Sequence, residues 1–359
     1  MLADRMDDWD SFAEAARRHQ LDGFALDRLE TAPTVPDSLK ARWRREAKNR
    51  AMLNLGQGKA TKDLHALLRD HGTDNLILKG LPLTHELYGS LGIKRSGDID
   101  FLVDEKDAWP AIQTLSRIGF QPVVGDGSLS PRQAAVMVRH YKEVTLRNRA
   151  GIVVDLHWKL VDGNVMFAQL DAFANARRVT IDNLGEIHVL GEADGFAYLC
   201  AHGAMSDWSR LKWLCDVNAM LAGRSEAEII ALYNHAETLG AGVSTLQALG
   251  LRRLIWDRAM PAVLQDKVDD IAYADFLSFP IDRMIEPYRL KSPVKVLDRI
   301  IRQARVRGAL YNDKVKAAAE MRHHLRALPD VLAAPLPRAL DWLYIPLRPV
   351  MWIGRKLRN

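Results

Sequence analysis

The sequence predicts an α+β protein: a small mixed β-sheet with flanking helices, set between a helical N-terminal arm and a mostly α-helical C-terminal domain. Three observations carry this reading. Apolar residues recur at three- and four-residue steps up to about Arg69, the period then changes to short apolar runs of strand length, and beyond Glu192 helical spacing returns for nearly all of the remainder. The expected divisions are an arm over 1–70, an α/β core over 71–190, and a helical domain with a basic tail over 191–359.

In the arm, breaks are expected at Gly23 and around Pro33 and Pro36. Asn75-Leu-Ile-Leu-Lys79 is an apolar run of strand length ending in Gly80, and Leu83 to Tyr88 reads as a helix closed by Gly89. After the loop 92–97, the segment Asp98 to Val103 combines apolar bulk with alternation and fits a strand, and 105–118 returns to helix. Tyr141 to Leu146 and Gly151 to His157 read as two further strands joined by the hairpin turn Asn148-Arg-Ala-Gly151, and Glu186 to Leu190 as one more. Helices are expected over 192–204, 208–222 and 225–239, then in several pieces to Leu325, punctuated by Pro261, Pro280, Pro293 and Pro329.

With 359 residues, 48% of them hydrophobic, the chain has ample material for a packed core. No run of 18 or more apolar residues occurs, and the first residues alternate charge with apolar side chains, so a cytoplasmic setting is expected. The two cysteines, Cys200 and Cys215, lie on predicted helices outside any metal-ligand spacing and read as reduced, buried thiols. The net charge of +5 is uneven: residues 281–359 hold 17 Lys/Arg against 7 Asp/Glu, which leaves the preceding 280 residues at −5. No stacking-aromatic or recognition-helix pattern accompanies that charge, so nucleic acid is not the expected partner. The tail from Pro335 mixes Trp342, Tyr344 and Trp352 with Arg338, Arg348, Arg355, Lys356 and Arg358. Contact with an anionic membrane is one reading; Pro346 and Pro349, expected to break any long helix, favour packing onto the chain's own domain.

The chemistry sits in Gly97-Asp-Ile-Asp-Phe-Leu-Val103. Asp98 and Asp100 are two apart on a strand, so their carboxylates project from one face and suit a hard divalent cation. Asp155 stands in mid-strand among Val153, Val154 and Leu156, where an ionised side chain needs a partner that a metal can supply. Three carboxylates holding two Mg²⁺ ions suit phosphoryl transfer.

A strand ending in Gly, then a helix, then acid–apolar–acid and a later lone acid resembles the nucleotidyltransferase superfamily that includes DNA polymerase β and the aminoglycoside nucleotidyltransferases. Leu78-Lys79-Gly80, Arg95 before Asp98-Ile-Asp100, and Asp155-Leu-His157-Trp158 more closely resemble a family of uncharacterised bacterial nucleotidyltransferases. Leu199-Cys-Ala-His202 and Leu211-Lys-Trp-Leu-Cys-Asp216 extend the similarity to about residues 45–225. The resemblance implies a nucleotidyltransferase core with Asp98, Asp100 and Asp155 as catalytic, metal-binding acids. It also implies Mg²⁺ or Mn²⁺ as cofactor, ATP or another nucleoside triphosphate as substrate, and a small-molecule, peptide or protein acceptor. Lys79, Gly80, Arg95 and His157 are the expected nucleotide-binding residues.

The chain departs from the superfamily in placing Leu81 and Pro82 after Gly80, where Ser or Gly usually cradles phosphate. Lys79 and Arg95 are the cations available to compensate, although a lysine at a strand end also serves simply to reach solvent. His157 either orients Asp155, touches substrate or fills space. His140 is placed at the mouth of the cleft or in packing, and His202 with Asp216 in a buried hydrogen-bonded pair between helices. Two functions follow: a nucleotidyltransferase releasing pyrophosphate, or an inactive nucleotide- or partner-binding module of the same fold.

Overall fold

The computed structural model describes residues 8–358 except 125–126, 164, 182–183, 272–274, 287–291, 312–316 and 319–326. The arm consists of α1 (Trp9–Arg18), α2 (Asp22–Leu29) and the long α3 (Asp37–Asp70). Next come β1 (Asn75–Ile77), α4 (Leu81–Tyr88), β2 (Ile99–Val103), α5 (Ala108–Arg117), β3 (Gln121–Pro122), α6 (Pro131–His140), β4 (Glu143–Arg147) and β5 (Val153–His157). The edge hairpin β6 (Arg177–Ile181) and β7 (Gly185–Val189) completes the strands among the described residues. The helices that follow are α7 (Glu192–Met205), α8 (Leu211–Met220), α9 (Glu226–Thr238), α10 (Gly242–Trp256), α11 (Ala262–Asp269), α12 (Asp275–Ile285), α13 (Pro293–Ala309), α14 (Leu328–Ala333) and α15 (Tyr344–Arg358).

The strands form one mixed sheet in the order β3-β4-β5-β2-β1-β7-β6, with β2–β5 and β1–β7 parallel. All five residues of β2 are buried, as a central strand covered on both faces requires. Alternation sends Ile77, Ile99, Phe101 and Val103 into one core with Leu64 and Leu68 of α3 and Leu115 of α5. Leu76, Leu78 and Leu102 point the other way, into a second core built on Phe196, Tyr198 and the later helices. Asp100, between Ile99 and Phe101, therefore faces α7.

Several expectations need correction. Gly23 lies inside α2, not at a break: a Cβ there would sit 2.1 Å from the Ile93 carbonyl oxygen, so glycine lets α2 pack directly on the loop before β2. Helix α6 was not anticipated, although Ser130 and Gln133 form its capping box and Pro131 fits its first turn. Nor was β6, a short edge strand with alternating exposure. The prolines at 346 and 349 do not break α15: Pro346 is in the first turn, where a missing N–H costs nothing, and Pro349 is tolerated inside. At the start of α15, Tyr344 is buried and its hydroxyl accepts from Leu336 N and donates to Ala334 O. The side chains of Trp352, Arg355, Lys356 and Arg358 lie outside the described residues. Cys200 is buried and Cys215 half-buried, both free, and no helix among the described residues is long and apolar enough to cross a membrane.

The loop 91–96 that leads into Asp98 is clamped from two sides. Asn54 of α3, fully buried, donates to Leu91 O (2.6 Å) and Lys94 O (2.7 Å) and accepts from Ser96 N (3.1 Å). Arg50, one turn earlier, donates to Gly92 O and pairs with Asp22 of α2. From the opposite side, Lys94 is buried against Asp216 of α8, which also accepts from the Tyr88 hydroxyl at 2.9 Å. Asn54→Ala strands two carbonyls and an amide, and is expected to lower the unfolding free energy by about 2 kcal/mol or more in chemical denaturation. A loss below about 0.5 kcal/mol would show that other contacts hold the loop.

Candidate active site

Strand pairing assembles the site. In the parallel register of β2 and β5, Asp100 stands beside Asp155; across the β4–β5 hairpin, Thr145 faces Asp155 and Glu143 faces His157. Residues paired in this way project from the same side of the sheet, so one face carries Asp98, Asp100, Asp155, His157, Thr145 and Glu143 together. Asp98, Asp100 and Asp155 each offer an oxygen within 4.8 Å of the others. Asp100 is 2% exposed, and its Oδ2 is buried with no hydrogen-bond partner. An unsatisfied carboxylate oxygen in a cluster of hard oxygen donors fits a divalent cation such as Mg²⁺ or Mn²⁺.

Three cations face these acids. Lys79, just past β1, bonds Asp100 Oδ1 through its ammonium. His157 places Nδ1 3.0 Å from Glu143 Oε2 and Nε2 3.4 Å from Asp100 Oδ1. Lys142 pairs with Glu143 at 2.5 Å. Burial opposes the charges of Lys79, Asp100, Glu143 and His157, and the pairing overcomes it. Lys79 is held above the ordinary lysine range by Asp100, and Asp100 well below the carboxylate range by Lys79 and His157. Glu143 is likewise lowered by His157 and Lys142, while hydrogen bonds to Asp100 and Glu143 raise His157. Asp155 goes the other way. Burial, then Glu143, Asp100 and Asp98, push it up to about 6, against a hydrogen bond of 2.7 Å from Thr145 Oγ1.

Gly80 caps α4 with φ +83°, a conformation that favours glycine, and a Cβ there would lie 3.2 Å from Ser96 Oγ. Arg95 is exposed on the loop before β2. His140 turns toward the C-terminal segment, 3.2 Å from Asp341 Oδ1 and edge-on to Tyr344. The expected His202–Asp216 pair does not form: Asp216 is taken by Lys94 and Tyr88, and His202 lies between the rings of Tyr198 and Trp213, lowered to about 3 by burial and nearby cations. A buried carboxylate binds an ammonium more strongly than a neutral imidazole, which accounts for the difference. Glu143 and Thr145 are the residues that sequence reasoning missed; their signal is the hairpin register set by the Asn148–Ile152 pairing, one residue away from that of a turn at 148–151.

A mixed sheet whose central parallel pair brings an Asp-x-Asp and a third Asp together, beside a Lys-Gly element opening a helix, defines a nucleotidyltransferase-type protein. The chain belongs to the uncharacterised nucleotidyltransferase family, whose model matches residues 5–257. Among solved structures it is similar to an antigenic nucleotidyltransferase-like protein from Paracoccidioides brasiliensis, at 16% identity and a TM-score of 0.33, over 59% of this chain and 92% of that one. A search of the curated proteins finds no match.

Mn²⁺ is expected to raise the melting temperature of the wild-type protein, corresponding to about 2.7 kcal/mol at a hundredfold excess over Kd. Asp100→Asn should remove that gain. An equal gain in both proteins, read by differential scanning calorimetry, would separate Asp100 from the metal.

Proposed function

We propose that the protein transfers a nucleoside monophosphate from a nucleoside triphosphate to a hydroxyl or similar nucleophile on a small molecule, peptide or protein, releasing pyrophosphate. The observation that supports this most directly is the convergence of Asp98, Asp100 and Asp155 on one face of the sheet around a buried, unpartnered carboxylate oxygen. Asp98 and Asp100 would hold the metal on the triphosphate, and Asp155 would hold the second. Bound Mg²⁺ or Mn²⁺ supplies neutralisation of the triphosphate and polarisation of the attacking and leaving oxygens.

The chain's own residues do the rest. Lys79 and Arg95 bind phosphate oxygens, and Gly80 allows the backbone to approach them closely. The acceptor oxygen forms a bond to the α-phosphorus while the bond from that phosphorus to the bridging oxygen breaks. Pyrophosphate leaves with the electron pair, and the acceptor proton moves to an Asp155 oxygen. His157, held between Glu143 and Asp100, keeps Asp100 ionised and fixed.

An inactive binding module is the second reading, favoured by Pro82, which offers no N–H to a phosphate in the first turn of α4. Asp155 separates the two. In a transferase, Asp155→Asn keeps triphosphate binding but lowers pyrophosphate release by roughly a thousandfold or more. The assay is pyrophosphate release, or hydrolysis of NTP to NMP when water replaces the acceptor, with Mg²⁺ or Mn²⁺. Wild-type protein that binds metal and NTP but never cleaves it would establish the module instead, and equal cleavage by both proteins would remove Asp155 from the mechanism.

A further inference from the structure

Helix α13 is packed the reverse way for an amphipathic helix. Its cations face the protein: Arg299 pairs with Glu286 at 3.1 Å, Arg302 with Asp275 at 2.9 Å and Asp282 at 2.8 Å, and Arg307 with Asp207 at 3.4 Å. The Arg302 guanidinium also lies 5.4 Å over the Phe279 ring of α12, and Val306 and Ala309 are the buried residues of the helix. The apolar residues face outward. Val294 is 76% exposed, Leu297 58%, Ile300 55% and Ile301 43%, although a surface helix ordinarily buries a face of this kind. Val294, Leu297, Ile301, Ala304 and Gly308 follow one another at alternating steps of three and four residues, so they form a single stripe along the helix.

Two features of the stripe indicate what covers it. Its first half is bulky and its second half small: Val294, Leu297 and Ile301 give way to Ala304 and Gly308, and a Cβ at Gly308 would meet nothing within 4 Å. Two copies laid antiparallel therefore interlock, the bulky half of each filling the shallow half of the other. The charges agree. Asp298 and Arg305 are both exposed, seven residues apart and so on the same flank of the stripe, and among the described residues neither has an ion-pair partner. A two-fold axis passing between Ile301 and Arg302 brings Asp298 of each copy level with Arg305 of the other, giving two reciprocal ion pairs. The same axis sets Leu297 of each copy between Ala304 and Gly308 of the other. A lipid surface would require the cations on the outside. Here Arg299, Arg302 and Arg307 are turned inward and neutralised, and the exposed Lys295 and Arg305 are offset by Asp298.

We infer that α13 is a homodimerisation surface, on which the helix pairs antiparallel with α13 of a second copy of this chain. The interface is isologous: the same stripe is used twice, and the charge at one end is answered at the other. Burial of the stripe supplies the affinity, and the ion pairs fix direction and register. A parallel pair would set Asp298 against Asp298 and Arg305 against Arg305, which like charges oppose. Helix α13 carries none of the residues of the acid site, so the pairing stands independently of the reaction proposed above.

The test is sedimentation of the full chain in the analytical ultracentrifuge across the micromolar range. Wild type is expected to pass from monomer to dimer as its concentration rises. Leu297→Glu should weaken the dimer by at least about tenfold. Its circular dichroism should match that of wild type, because Leu297 is more than half exposed; this separates lost pairing from lost folding. Asp298→Arg and Arg305→Asp should each weaken the dimer by a similar factor, since the two-fold then sets like charges face to face twice. The double variant Asp298→Arg/Arg305→Asp should recover the wild-type affinity. An equimolar mixture of the two single variants should form a mixed dimer more tightly than either variant pairs with itself, because every facing pair is again of opposite charge. The inference is overturned if wild type stays a monomer throughout that range, if folded Leu297→Glu dimerises as wild type does, or if the double variant remains as weak as the single ones. Co-sedimentation of monomeric wild type with phosphatidylglycerol vesicles but not phosphatidylcholine vesicles, lost in Leu297→Glu, would assign the stripe to an anionic membrane and overturn it as well.

Discussion

The cost of an ionised carboxylate in the middle of a buried strand governs the centre of this molecule. Asp100 is flanked by Ile99, Phe101, Leu102 and Val103, all buried, on a strand covered by helices on both sides. Left alone, such a charge would protonate or unfold its surroundings. The strand order answers this constraint. Placing β1 on one side of β2 delivers Lys79 to one flank of the carboxylate, and placing β5 on the other delivers His157. The second carboxylate oxygen receives nothing from the protein, and in the proposed reaction that oxygen is kept for metal.

A similar arrangement recurs one loop away. Lys94 and Asp216 form a second buried ion pair, joining the segment before β2 to α8. Buried pairs of this kind contribute little net stability but impose strong penalties on alternative arrangements. Together the two pairs fix the loop 92–97 at both ends: one end to the sheet, the other to the helical layer. Asn54 closes the third side from α3. Asp98 therefore sits at the junction of arm, sheet and helical layer, and a shift in any of them moves its carboxylate.

Much of this was legible in the sequence wherever the information is local. The alternation of Asp98 to Val103 placed two acids on one face, and the mid-strand position of Asp155 asked for a partner. Counting outward from a four-residue turn at 148–151 sets Thr145 opposite Val154 and Glu143 opposite Leu156; the loop instead pairs Asn148 with Ile152, and that one-residue shift brings Thr145 to Asp155 and Glu143 to His157. Contacts between distant segments were not legible. Lys212 meets Gln20 across 192 residues and Asn54 meets Lys94 across 40, and no periodicity in either segment announces its partner. The mistaken pairing of His202 with Asp216 has the same origin. The two residues lie on successive helices and look like partners until a loop lysine 122 residues earlier in the chain proves the stronger one.

In the proposed reaction the turn after Gly80 offers the triphosphate fewer backbone amides than a glycine-rich turn would, while the three acids beside it are kept. Backbone amides in a glycine-rich turn bind phosphate through fixed dipoles that do not titrate and are already in place. Gly80 still adopts the required conformation, but Pro82 removes a donor from the first turn of α4. If side chains do this work instead, the anion meets flexible ammonium and guanidinium groups whose attraction is screened by salt. Such groups must also be held apart from the carboxylates beside them. Lys79 is drawn onto Asp100, whereas Lys212 is held by a neutral amide from the arm. That difference leaves Lys212 without a carboxylate partner among the described residues.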